Sequence, residues 1–237
     1  MERSRGVSAA LAVALARVTR DRRDEAWQDG LDLIAVIAGL KPACLLGRGA
    51  RDEAWIDGLH AIAVREGLRS VAAAAWEPDA RAAALPGWYL DATARRRAAL
   101  PVLYLCRDAA TLAKVAALSA AGRVTVADEA AFLGYPACCV AQHHAQTLEL
   151  ERLLAKMAER AAWGDLTGAA RMIEAGVEPL PRSREEWASF ESLTAIAPSR
   201  FTSVNMCDAC AADGDAPAQI LSRRYETLAA RAQYPAR

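Results

Sequence analysis

Apolar positions along this chain follow two rhythms, one helical and one strand-like, and the clearest pattern occurs twice. The stretch RDEAWQDGLDLIAV at 23–36 returns as RDEAWIDGLHAIAV at 51–64, with eleven of fourteen positions identical at an offset of 28. Three- and four-residue spacings put Trp27, Leu31 and Ile34 on one helical face, and Trp55, Leu59 and Ile62 on another. Each helix runs into a Gly-Leu pair, with Gly39 and Gly67 suited to the helix C-terminus. Short apolar runs follow at 42–46 and 70–76 and predict strands buried on both faces. A strand, a helix and a strand inside one 28-residue period predict a right-handed crossover with parallel strands. The repeat itself reads as a local duplication that kept two equivalent packing helices. Paired ligand sites at Asp29 and Asp57 are the weaker reading.

The pattern continues more faintly. PVLYLCRD at 101–108 reads as a third strand, with Asp108 placed to cap the helix AATLAKVAALSAAG. RVTVAD at 123–128 reads as a fourth strand. Beyond residue 128 the rhythm becomes helical. A long helix is predicted from Ala137 to Ala162, broken by WGD at 163–165, and shorter helices follow near 166–175, 183–193 and 218–232. The segment 197–217 is rich in turn formers and reads as a loop. The expected fold class is α/β. A small, mostly parallel sheet in residues 1–127 packs against a mainly helical region in 128–237. No linker separates the two, so they are expected to form one compact unit.

Composition narrows the function classes. The chain has 237 residues, 54% hydrophobic and 24% charged, which excludes a disordered chain. Net charge is zero, and no basic stripe with interleaved aromatics is present, so nucleic acid is not an expected partner. No apolar run approaches a bilayer span, so no membrane association is expected. The N-terminal MERSRGVSAALAVALARV reads as an amphipathic first helix rather than a signal peptide, which places the protein in the cytoplasm. Arginine supplies nearly all the positive charge; the lysines are Lys41, Lys114 and Lys156, a bias read as genome composition. Signatures of dinucleotide binding, the P-loop, the serine-hydrolase elbow and the zincin helix are all missing.

The candidate chemistry lies in the cysteines. Six are present: Cys44, Cys106, Cys138, Cys139, Cys207 and Cys210. Adjacent cysteines plus a C-x-x-C in a cytoplasmic chain point to metal or redox chemistry rather than to disulfides. Pro136 suits the first turn of the long helix, so Cys138 and Cys139 fall at its positive end, where thiolates are favoured. Cys207 and Cys210 have the spacing that lets two sulfurs reach one ion. Four thiolates sharing one zinc lie about 3.8 Å apart, whereas neighbours on a helix diverge by roughly 100°. An iron–sulfur cluster, being wider, accommodates adjacent cysteines more readily. A third arrangement replaces one cysteine of the doublet by His143, one turn from Cys139, giving Cys139, His143, Cys207 and Cys210. Cys44 and Cys106 read as strand residues with packing roles, and His60 as a solvated helix residue. His143 and His144 otherwise read as surface or supporting residues.

The stretch FLGYPACCV at 132–140 resembles the G-Y-P-x-C-C-V signature of a widespread prokaryotic family known mainly as a domain of unknown function. CDACAADGDAPAQILSRRYETLA at 207–229 resembles that family's second block, a cysteine pair followed by a helix with an Arg/Tyr pattern. The resemblance implies that Cys138, Cys139, Cys207 and Cys210 are ligands and that Gly134, Tyr135 and Pro136 form the turn presenting the first pair. In that pattern an aromatic residue usually stands where this chain has His143. The resemblance also implies an accessory or tailoring role in a biosynthetic, peptide-modifying pathway, with a peptide or protein partner. Two other functions fit the residues. One is a metalloenzyme with an open metal position and Asp208, Asp213 or Asp215 as acid/base groups. The other is a thiol redox or sulfur-handling protein using Cys138 or Cys139 as nucleophile. Oligomeric state is not encoded in any of these patterns.

Overall fold

The computed structural model describes residues 11, 24–47, 54–100, 102–194 and 206–231. The expected first helix, apart from Leu11, and the whole segment 197–205 lie outside these residues, as does the side chain of Trp27. Both repeat helices form, α1 over Asp24–Ile37 and α2 over Ala54–Arg65. Their apolar faces are buried as the spacing requires: Leu31, Ile34, Trp55, Leu59 and Ile62 are each 5% exposed or less. Gly39 and Gly67 end these helices at φ +77°, a left-handed conformation that a side chain disfavours.

The strands that follow are β1, Ala43–Leu46, and β2, Arg69–Ala73. They do not pair with each other. After the short strand β3, Glu77–Pro78, and the helices α3, Arg81–Ala84, and α4, Gly87–Ala99, comes β4, Val102–Cys106. It enters between β1 and β2 and runs antiparallel to both. Cys106 is level with Ala43 on one side and Arg69 on the other. The expectation of a mostly parallel sheet is therefore corrected. β1 and β2 do share one direction, as the crossover predicts, but a strand-wide slot lies between them. β4, VLYLC, is apolar enough to fill the slot, where a central strand is covered on both faces. β2, carrying Arg69 and Ser70, is partly exposed and sits at an edge rather than buried on both faces.

The fourth expected strand is also corrected. Only Arg123–Val124 is extended, as β5, pairing in parallel with β3 in a separate two-stranded sheet. It follows α5, Ala109–Ala121, which Asp108 caps by accepting from the Thr111 N–H at 2.7 Å. From Val126 the chain is helical, as α6 over Val126–Leu133, because Thr125 caps it and accepts from the Asp128 N–H at 3.1 Å. Then come α7, Ala137–Ala161, α8, Leu166–Glu174, and α9, Arg184–Thr194. Trp163 and Gly164 both adopt positive φ and end the long helix where the WGD break was expected. A five-residue helix α10, Asp208–Ala212, interrupts the expected loop, and α11 covers Pro217–Arg231.

Two cores result. The larger gathers α1, α2, the three-stranded sheet, the start of α7 and the cysteine and α11 segment. The smaller joins α4, the second half of α7 and α8 around Tyr89, Ala158 and Ile173. Arg81 is buried between them, with its Nε 2.5 Å from Glu151, and it pairs with Glu77 as well.

Candidate metal centre

Three residues determine how the first cysteine pair is presented. Gly134 closes α6 at φ +72°, and a Cβ there would lie 3.1 Å from the Pro42 ring. Tyr135 turns inward and is buried. Pro136 caps α7, accepting from the Cys139 and Val140 N–H groups at 3.0 and 3.1 Å. Cys138 and Cys139 thus occupy the second and third positions of the helix, next to its unpaired N–H groups.

The second pair comes from the short α10. Cys207 caps it and Cys210 lies within it. The two segments meet. Cys138 Sγ is 3.6 Å from Cys210 Sγ, and Cys139 Sγ is 3.8 Å from Cys207 Sγ. All four sulfurs lie within 4.8 Å of one another. The 100° divergence between neighbours is accommodated without unwinding the helix, because each cysteine of the doublet faces a different cysteine of the later pair. Cys139, Cys207 and Cys210 are buried and Cys138 is exposed. The chemistry of this set fits a thiophilic metal ion.

Supporting contacts come from both elements. The Cys207 N–H points at Cys139 Sγ from 3.5 Å, a contact that favours a thiolate. Gln142 accepts from the Asp208 N–H at 3.1 Å, tying α7 to α10 one turn beyond the cysteines. Burial pushes the Cys139 and Cys210 thiols up. Burial also raises Cys207, but the Cys210 backbone and the neighbouring thiols outweigh it, and its net direction is down.

The other candidates lie elsewhere. His143 is not part of the four-residue group; its ring centroid is 6.5 Å from that of His144. His144 bonds Glu129 at 2.6 Å. Asp208, Asp213 and Asp215 are exposed, and the Asp213 carboxylate accepts from the Asp215 N–H at 2.9 Å. Cys44 and Cys106 are fully buried in the sheet, as a packing role requires. His60 is half-buried and bonded to Ser70 at 3.0 Å, not simply solvated.

Sequence reasoning missed the group that holds both cysteine segments to α1. Lys41 Nζ donates to Asp32 at 2.9 Å and to the Tyr135 hydroxyl at 2.6 Å. Tyr135 donates to Asp32 Oδ2 at 3.1 Å, and Tyr225 of α11 donates to Asp32 Oδ1 at 2.9 Å. Lys41 Nζ also lies 4.2 Å from the centre of the Tyr135 ring. One buried carboxylate thus anchors the residue just before the first cysteine pair and the helix just after the second. A signal was present: Lys41 is a rare lysine among many arginines, and Asp32 is one of three positions where the repeat copies differ.

Comparison of the chain with protein-family models, with curated proteins and with solved structures returns no match.

Proposed function

We propose that this is a metal-binding protein holding one tetrahedral zinc ion on the thiolates of Cys138, Cys139, Cys207 and Cys210, and that the ion is structural. The observation carrying this reading is the close approach of four sulfurs from two segments, at 3.6 and 3.8 Å across the gap. Those separations match the spacing of about 3.8 Å that Zn–S bonds of about 2.3 Å impose. An iron–sulfur cluster places several atoms between its thiolates and holds them further apart. Four thiolates fill the coordination shell, leaving no position for the water that a metalloenzyme activates. The ion would bind α10 to the start of α7 and neutralise charge that burial disfavours. Thiolate ligation suits a reducing cytoplasm. An accessory role in a biosynthetic pathway, acting on a peptide-like partner, extends this reading and rests on the motif resemblance alone.

A second reading is thiol redox chemistry, favoured by the exposure of Cys138 beside Cys210. Closing that pair to a disulfide would pass two electrons and two protons to a partner disulfide.

Metal analysis and thiol counting on protein purified without oxygen separate these readings. The expected result is one zinc per chain, with the four cluster thiols resisting alkylation until a chelator is added. Iron with acid-labile sulfide would replace zinc by a cluster. Metal-free protein with fast-reacting thiols would overturn the proposal in favour of redox chemistry.

A further inference from the structure

A second site lies at the seam between the two cores, where a cavity of about 400 Å³ opens. Val102, Leu150, Leu154 and Ile173 give it apolar walls. Its middle stretch of α7 begins eight residues beyond Cys139, roughly 12 Å along the helix, so it is separate from the cysteines.

Two polar groups at this cavity are uncommitted. Tyr89 lines it and is only 3% exposed, yet among the described residues its hydroxyl has no hydrogen-bond partner. The residue is buried while its hydroxyl faces the cavity it lines, which leaves that space for a partner. Arg96 borders the cavity and makes no ion pair among the described residues. Gly176 leaves room for its guanidinium, since a Cβ there would lie 3.0 Å from Arg96 Nη2. The neighbouring charges are occupied otherwise. Arg97 and Glu151 approach each other at 3.7 Å and engage Glu77 and Arg81. Glu178, exposed at the rim, is the remaining anion and disfavours a second negative charge on any occupant.

We propose that this cavity binds a small monocarboxylate with an apolar body, its carboxylate held by Arg96 and the Tyr89 hydroxyl and its chain between Leu150, Leu154 and Ile173. A fork of guanidinium donors matches a carboxylate, and the phenol adds a further donor. The mixture of apolar walls and a few convergent polar groups is the ordinary form of a small-ligand site.

Calorimetric titration of the full, metal-loaded chain with octanoate tests this. The expected result is saturable binding of one octanoate per chain, with octylamine and the dianion suberate weaker by about tenfold or more. Arg96→Ala should weaken octanoate by about tenfold, and Tyr89→Phe by several-fold. Tyr89→Phe should leave the melting temperature unchanged, because no protein hydrogen bond is lost. Leu154→Trp, filling the cavity, should abolish binding, with circular dichroism checking the fold. Octanoate that fails to saturate, octylamine that binds as well as octanoate, or wild-type affinity in both Arg96→Ala and Tyr89→Phe would each overturn the proposal. Tyr89→Phe keeps it falsifiable even if Arg96→Ala fails to fold.

Discussion

Asp32 and His60 occupy equivalent places in the two repeat copies, and the difference between them organises the molecule. In the second copy His60 reaches Ser70 nearby. In the first, Asp32 faces inward and collects Lys41, Tyr135 and Tyr225. Burial alone would lower the Lys41 pKa, but the Asp32 carboxylate, Tyr135 and Cys44 together outweigh it and the net direction is upward. Removing one partner leaves an uncompensated buried charge, so Lys41→Ala or Asp32→Ala should cost about 3–5 kcal/mol in denaturant unfolding. The double change Asp32→Leu with Lys41→Met should cost much less than the sum of the single changes. The raised pKa also sets a sign. Its contribution to stability is complete below the ordinary lysine value of about 10.4 and is lost as pH climbs through the higher folded value. Alkaline unfolding of Lys41→Met should lack this component. At this scale the sequence was most legible where chemistry is local. The two cysteine pairs, the Asp108 cap and the glycine stops each follow from residue type and spacing. The Asp32 group was not legible, because its members stand up to 193 positions apart and only the folded chain brings them together.

Element by element, helices were easier to place than strands. The long α7 and its WGD end match expectation to within a residue, because a 3.6-residue period and a breaker are both written locally. Strand pairing is not. An apolar run marks a strand as buried but says nothing about its neighbour or its direction, so β4 could not be placed between β1 and β2. The mistaken strand at 123–128 had a readable counter-signal in Thr125 followed by Asp128, a helix-start pattern. A similar start governs α9. Ser183 accepts from the Glu186 N–H at 3.1 Å, and Glu186 accepts from the Arg182 N–H at 2.7 Å while pairing with Arg160. The Arg160 guanidinium and these N–H groups hold the Glu186 carboxyl down to about 2. A lowered carboxylate pKa contributes stability above its unfolded value and loses it as pH falls through the folded one. Carboxyl resonances followed by NMR should show Glu186 titrating near pH 2. The N–H groups opening α9 should lose exchange protection between about pH 4.3 and that point. A midpoint for Glu186 near that of free glutamate would refute this.

For the whole molecule, the C-terminal segment is held to the rest by apolar packing of α11, by the Gln142–Asp208 contact, by the Tyr225–Asp32 bond and, on the proposed function, by an ion on the four sulfurs. The ion and the other contacts fail under different conditions. Chelation should remove the proposed ion alone. Hydrogen exchange after metal stripping should then accelerate in α10 and the first turn of α7, while β1, β4 and α1 stay protected. Cys210→Ser should give the same map without chelator. Uniform acceleration across the sheet would mean that the sulfur centre supports the entire fold rather than one edge of it.

The insertion of β4 between the duplicated strands has a consequence for how the polypeptide is made. Until residues 102–106 have been synthesised, neither copy of the repeat has a ladder to join. The emerging chain must carry the first segment, which ends at Leu46, and then the second, which ends at Ala73, without a ladder until Val102 arrives, a delay inherent in pairing across such sequence distances. A duplication that would look self-sufficient on a ribosome is thus dependent on a strand outside it.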